Sequence, residues 1–378
     1  MPGARSTATS PTPTGAAEVT GGVATREAVT REVLPARAPD ASADDWRTVH
    51  AAALVVDGLD CSPPTEAYAA KLRRAGVDCV HLTVEDQDPR GGVHPFVVVH
   101  ELLDRPGCSF RLSRTVGEIE RAHEAGQIAL VLGWQGADPV NVEYGTLRAY
   151  FELGLRITGI TYNTANRYGG GCLTPGVGLS DDGRALVDQV NRLRMLLDVG
   201  GHTGERTSLE AIERSDGRPV ICSHTGLAAV NPNRRNTSDA VCEAIARSGG
   251  VVGVLALSDF MARNPANAHL PATPQAPLER MLDHLDHLRR LVGADHIGLG
   301  PDFMEGLGPH GPSAWTGVRF EPDLIGVTGW TTYVRGFESI DELPAVTAGL
   351  LARDWPPADI RKALGQNWLR VYRAAWGS

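Results

Sequence analysis

Several side chains able to act as ligands, acids or bases stand just behind short apolar runs in this sequence. Asp57, Asp60 and Cys61 follow the run that starts at Ala53, and Gln135 follows Ile128 to Leu132. Tyr162 and Asn163 come after Ile157 to Thr161, Asp198 and His202 after the run from Met195, His224 at the end of Val220 to Ser223, and Asp302 after His296 to Gly300. Two histidines, several carboxylates and a thiol gathered at one place would make a metal site, since all are zinc ligands, or an acid–base site. Taken singly, a His or Asp in such a position is more often a hydrogen-bonded loop residue. Their shared placement is what raises them above that reading. Cys61 alone reads as an inert thiol, and Gly169-Gly170-Gly171 as a loop rather than a phosphate cradle, because no strand runs directly into it.

The elements that must position these residues follow from the apolar pattern. Ala53–Asp57, Cys79–Thr83, Ile128–Leu132, Ile157–Thr161, Met195–Val199, Val220–His224, Val251–Leu255 and His296–Gly300 are short apolar runs of the kind that form buried parallel strands. Between them, Ser113 to Ala125, Asp181 to Arg194, Ser208 to Ser215 and Ser238 to Ser248 have helical spacing and Ser or Asp at the start to cap it. Strand and helix alternating eight times predicts a (β/α)8 TIM barrel, with a doubly wound open sheet as the alternative of similar appearance. In a barrel, the residues after each strand share one mouth.

The chain of 378 residues, net charge −9 and pI near 5.7 suits one large domain and opposes a general nucleic-acid binder, which needs a basic surface. Its six cysteines are scattered without CxxC pairs, so neither a disulfide framework nor a zinc knuckle is expected, and a cytoplasmic location is the default. No uninterrupted apolar stretch reaches the length of a membrane span, and the N-terminus lacks the pattern of a secretory signal. Residues 1–44, rich in Ala, Thr, Pro, Gly and Ser, are expected to be a disordered leader, leaving 45–378 as a single catalytic barrel.

At these residues the chain resembles the renal (membrane) dipeptidases of the amidohydrolase superfamily. The resemblance runs from about Leu54 to Tyr372 and is carried by Leu153-Gly154-Leu155-Arg156 leading to Thr161-Tyr162-Asn163, by Asn191-Arg192-Leu193 before Asp198, and by Pro219 to His224. Arg235-Asn236, Gly249 to Val254, Asp295 to Phe303 and Gly365 to Val371 continue it in order. The resemblance implies a barrel, often dimeric, whose mouth holds two zinc ions through a His-x-Asp pair, a bridging Glu, two His and a late Asp. Here Leu59 stands where that His belongs, Cys61 where the Asp belongs, Gln135 at the bridging Glu and Tyr162 at a substrate-polarising His. The first zinc His falls on Gly201 or His202, depending on the direction of counting. His224, Arg235 and Asp302 match a zinc His, the Arg that clamps the substrate carboxylate and the Asp that handles the water proton.

Leu cannot ligate a metal, and a neutral amide does not offset the charge of two cations, so a standard two-zinc centre is not expected. The expectation is no metal, or one zinc held by His202, His224 and either Cys61 or Asp302. The expected substrate is a small amino-acid-derived molecule with its carboxylate on Arg235 and Asn163 beside it. Asp302 would be the acid or base, with His224, Tyr162 and Gln135 orienting the reacting group. The reaction is then either amide hydrolysis at a remodelled site or a lyase, cyclase or isomerase step in specialised biosynthesis, with a catalytically inactive binding barrel as the competing class. A covalent route through Cys61 requires a histidine within its reach. Trp315 to Trp330 reads as a lid or an interface.

Overall fold

The computed structural model describes residues 45–84, 92–143, 145–262, 275–305 and 332–377. The expected leader and the Trp315 to Trp330 segment lie outside these residues. Among these residues nine parallel strands alternate with helices: β1 Val55–Asp60, β2 Val77–Thr83, β3 Phe110–Leu112, β4 Ile128–Trp134, β5 Leu155–Thr158, β6 Leu196–Asp198, β7 Val220–Thr225, β8 Val252–Val254 and β9 Ile297–Leu299. Eight of them pair in the order β1-β2-β4-β5-β6-β7-β8-β9, and β3 pairs with the start of β4 alone. The ring closes at its upper end, where Cys61 N–H donates to Phe303 O at 2.8 Å and Asp302 N–H donates to Leu59 O at 3.0 Å. The barrel is thus as the apolar runs predict, and the open sheet is excluded. Among the described residues no helix is long and apolar enough to cross a membrane, and all six cysteines are unpaired thiols.

Local chemistry accounts for the helices. Ser180 and Ser238 accept from Gly183 N–H at 3.0 Å and Val241 N–H at 3.5 Å, capping Asp181–Leu193 and Asp239–Arg247. Two helices start elsewhere than expected. Thr115, not Ser113, caps Val116–Glu124, because the Ser113 amide is bonded to Leu130 O in the sheet. Glu205–Arg214 begins three residues before Ser208, whose hydroxyl donates instead to Gly204 O at 3.0 Å.

The barrel axis is filled from below. The helix Asn367–Trp376 sends Trp368 up the centre, where its indole N–H donates to Leu299 O at 3.2 Å. Room for the ring comes from three strands at once: a Cβ added at Gly58, Gly253 or Gly298 would lie 2.4, 3.1 or 2.5 Å from the indole. Asn367 locks the plug by donating to Ala294 O and Ile297 O, each at 2.8 Å. One layer higher, His81 of β2 lies where a Gly133 side chain would be, its Nε2 only 1.9 Å from that ideal Cβ. Trp368 thus shares one buried cluster with Val56, Val131, Ile157 and Ile221 of the strands. Trp368→Ala is expected to destabilise the protein by about 3–5 kcal/mol and Gly298→Ala by about 1–3 kcal/mol. In urea unfolding the double variant should lose less than the sum, because the vacated indole site accepts the new methyl group.

Candidate active site

The barrel mouth gathers most of the residues selected from the sequence. His202 lies at its centre, with Nε2 2.7 Å from Gln135 Oε1 and 3.1 Å from His224 Nε2, and Nδ1 2.7 Å from Asn163 Oδ1. Tyr162 stacks on the same imidazole, with ring centroids 4.1 Å apart and planes 23° from parallel. The counting ambiguity resolves in favour of His202, since Gly201 instead makes room for Arg235: a Cβ there would lie 1.7 Å from Nη1. Gln135 links the two sides of the mouth by donating from Nε2 to Cys61 Sγ at 3.3 Å and to Thr83 Oγ1 at 3.1 Å.

Asp302 completes the group. Its Oδ1 accepts from Cys61 Sγ at 3.7 Å, and its Oδ2 lies 4.0 Å from His224 Nε2. The backbone at Asp302 is left-handed, φ 65°, a conformation that Asp and Asn tolerate better than most residues. Burial pushes its carboxyl up to about 7, against the opposing pull of Arg235 and the thiol hydrogen bond. Burial likewise holds His202 and His224 well below the ordinary histidine range, and the Arg235 charge adds to it in both. The Cys61 thiol is raised well above its usual value by burial and by the charge of Asp302. At neutral pH the mouth therefore has two neutral imidazoles, a thiol and a carboxyl that changes state.

Arg235 is 2% exposed, with Nη1 donating to His224 O at a long 3.4 Å, and among the described residues it has no ion-pair partner. Its guanidinium also lies 5.8 Å from the centroid of the Phe260 ring. A buried guanidinium without a carboxylate is costly until an anion joins it.

Other expected residues take different positions. Asn163 is turned to His202 and accepts from Cys172 Sγ at 3.5 Å, so its carboxamide serves the histidine. Asp57 accepts from Leu59 N–H at 3.0 Å, and Asp60 accepts from Ser62 N–H at 2.5 Å and from the Tyr68 hydroxyl, so both carboxylates bond within β1 and its neighbouring helix. Neither histidine is a hydrogen-bond partner of Cys61, which removes the geometry a covalent route would need. The triglycine segment is packed rather than a cradle: a Cβ at Gly171 would lie 2.2 Å from Asn163 O. Sequence reading missed Thr83, His81 and Ser223. The first two belong to strand β2, and Ser223 lies inside β7, with its Oγ 2.7 Å from His224 Nδ1. The signal for His81 and Thr83 was inward alternation along β2, whereas Ser223 adjoins His224 at an irregularity of β7 that alternation does not mark.

Among the described residues no group of three or more His, Cys, Asp or Glu side chains is arranged to hold a metal ion. Leu59 offers no donor atom, Gln135 is neutral, and both ring nitrogens of His202 face amide oxygens. This donor set does not fit a pair of zinc ions. It does bring two histidine nitrogens together.

Comparison with known proteins agrees with the fold. The family model for membrane dipeptidases, peptidase family M19, matches residues 93–327. An uncharacterised protein in the pqqA 5' region of Klebsiella pneumoniae is 30% identical over 290 residues, covering 74% of this chain and 94% of its own. The dipeptidase verJ of Clonostachys rogersoniana is 28% identical over 277 residues, which cover 72% of this chain but only 62% of verJ. An amidohydrolase of Pseudomonas aeruginosa superposes with a TM-score of 0.77 at 28% identity, over 88% of this chain and 99% of its own. The chain belongs to the membrane dipeptidase family, peptidase family M19.

Proposed function

We propose that this dipeptidase-family enzyme acts on a small, amino-acid-derived substrate whose carboxylate pairs with Arg235, and that it does so by acid–base chemistry at Asp302 without a two-zinc centre. The observation that carries this reading is the place of Gln135, whose carboxamide lies 2.7 Å from His202 Nε2 and donates to Cys61 and Thr83. A side chain so engaged holds the centre of the mouth with neutral hydrogen bonds. What stays able to exchange a proton is Asp302, whose carboxyl near 7 is suited to both giving and taking one at neutral pH.

Asp302 Oδ2 and His224 Nε2 are 4.0 Å apart, too far for a direct hydrogen bond and close enough to address one substrate from two sides. A neutral base facing a weak acid can remove a proton at one position and return it at another, the requirement of a lyase, cyclase or isomerase step. Tyr162, stacked on His202, lies beside that region and would orient the reacting group. Hydrolysis of an unactivated amide would need a further means of making water nucleophilic.

One distance favours a second reading. The Nε2 atoms of His202 and His224 are 3.1 Å apart, near the roughly 3.3 Å expected of two imidazoles on one tetrahedral zinc. His202, His224 and Asp302 or Cys61 would hold that ion, which would supply Lewis acidity for amide hydrolysis. Elemental mass spectrometry of the tag-free protein, paired with dipeptide hydrolysis with and without chelator, separates the two. We expect less than about a tenth of an equivalent of zinc and no chelator-sensitive hydrolysis. About one equivalent with chelator-sensitive hydrolysis would favour the second reading, and about two would overturn both.

Two further outcomes follow from the charges. Since folding raises the Asp302 carboxyl from 3.8 to about 7, the native state binds its proton more tightly than the unfolded chain. Stability from this group is fully present below about 3.8 and is lost as pH rises through about 7. Asp302→Asn, which keeps the left-handed backbone, should abolish turnover. In urea melts it should also remain more stable than the parent at pH 8 by up to about 4 kcal/mol, the advantage disappearing near pH 4. Amino-acid derivatives with a free carboxylate should raise the melting temperature while their amides do not, and Arg235→Met should erase that difference.

A further inference from the structure

We infer that His284, on the helix Leu278–Val292, is a positioning residue for Arg235. Its imidazole ties the loop that carries Arg235 to the helical turn that carries Phe260, and so holds the guanidinium in place. The inference deepens the reading of Arg235 as the partner of the substrate carboxylate and rests on that reading for its functional meaning. His284 is fully buried. Its Nδ1 accepts the Leu227 N–H at 2.9 Å, and its Nε2 lies 3.2 Å from Met261 O. A backbone N–H only donates and a carbonyl only accepts, so Nδ1 is bare and Nε2 carries the single hydrogen. One neutral imidazole therefore meets both backbone groups.

The two backbone groups belong to the segments on either side of Arg235. Leu227 opens the loop between β7 and Asp239–Arg247, and its carbonyl accepts from Val230 N–H at 3.1 Å and Asn231 N–H at 3.0 Å. Beside it, Ala228 N–H donates to Thr237 O at 2.9 Å and Thr237 N–H to Gly226 O at 3.0 Å, which closes the loop two residues past Arg235. Met261 ends the turn Ser258–Met261, whose Phe260 presents its ring to the guanidinium. The Phe260 carbonyl accepts from Asn231 Nδ2 at 3.0 Å and from Asn236 Nδ2 at 2.8 Å, so the loop is fastened to the turn a second time. With no carboxylate to hold it among the described residues, the guanidinium depends on these two segments for its place. Without the imidazole, the Leu227 N–H would be left unmet in a buried position, and opening the loop to water would relieve it.

The test is the rate at which phenylglyoxal labels Arg235 in the full-length protein, read by peptide mass spectrometry. Arg156, a buried arginine of β5 bonded to Phe151 O and Leu155 O, reports opening of the barrel as a whole, so the ratio of the two rates isolates the loop. His284→Gln keeps a donor for Met261 and loses the acceptor at Leu227; His284→Asn sets an oxygen near the place of Nδ1 and loses the donor. We expect the Arg235 to Arg156 ratio to rise by about tenfold or more in His284→Gln and to stay within about threefold in His284→Asn. An unchanged ratio in His284→Gln, or a rise in His284→Asn as large as in His284→Gln, would overturn the inference. If His284→Gln does not fold, two-bond proton–nitrogen spectra of the unaltered protein decide, hydrogen on Nε2 supporting the bridge and hydrogen on Nδ1 overturning it. Amino-acid derivatives with a free carboxylate should slow Arg235 labelling in the unaltered protein while their amides do not. Failure of that protection would count against the carboxylate reading alone, since the variant ratios need no substrate.

Discussion

Two backbone hydrogen bonds, Cys61 N–H to Phe303 O and Asp302 N–H to Leu59 O, join the first strand to the last and turn a sheet into a ring. They join residues more than two hundred positions apart, so the loop between them can be ordered only when all the intervening strands are in register. The same bonds set side by side a side chain just after β1 and one three residues past the end of β9. Cys61 and Asp302 meet because the barrel closes, and Asp302 takes its left-handed backbone at that seam. The mouth and the closure of the fold are one structural fact.

Burial sets the charge state of everything above the seam. Placing ionisable groups out of water favours their neutral forms, and this effect is the largest influence on Asp302, His202, His224 and Cys61 alike. Arg235, which cannot give up its charge, is the exception. It lowers both histidines and opposes the rise of Asp302. The mouth thus sets neutral imidazoles beside one lasting positive charge. Two dications would need a metal ligand where Leu59 stands and a carboxylate where Gln135 stands.

The eight barrel strands were legible because each is an apolar run with polar residues behind it, and that periodicity needs no tertiary context. β3 was missed because Phe110-Arg111-Leu112 has an exposed arginine at its centre and pairs with β4 alone, so it makes no apolar run. The helix at Glu205 was placed late because its Gly204 cap offers no side-chain signal, whereas Ser208 looks like a cap and is not. His202, Gln135 and Asp302 could be found from strand ends. Whether Gly201 or His202 enters the mouth could not, since it depends on where the Arg235 guanidinium packs. Asn163 shows the same limit: its position beside the mouth was readable, while its orientation toward His202 is fixed by side-chain contacts that spacing does not encode.

The tryptophan plug bears on how such a chain comes to be made. Trp368 fills a space that belongs jointly to β1, β8 and β9, and no earlier residue of the chain occupies it. During synthesis from the N-terminus, every strand emerges before the side chain that fills their common axis. Until the helix that carries it follows, the strands have only their own side chains, Val56, Val131, Ile157 and Ile221 among them, to share the cluster that Trp368 joins. Of the residues that pack the axis, Trp368 is therefore made after every barrel strand, and strands that expose apolar inner faces meanwhile are the ones open to wrong association.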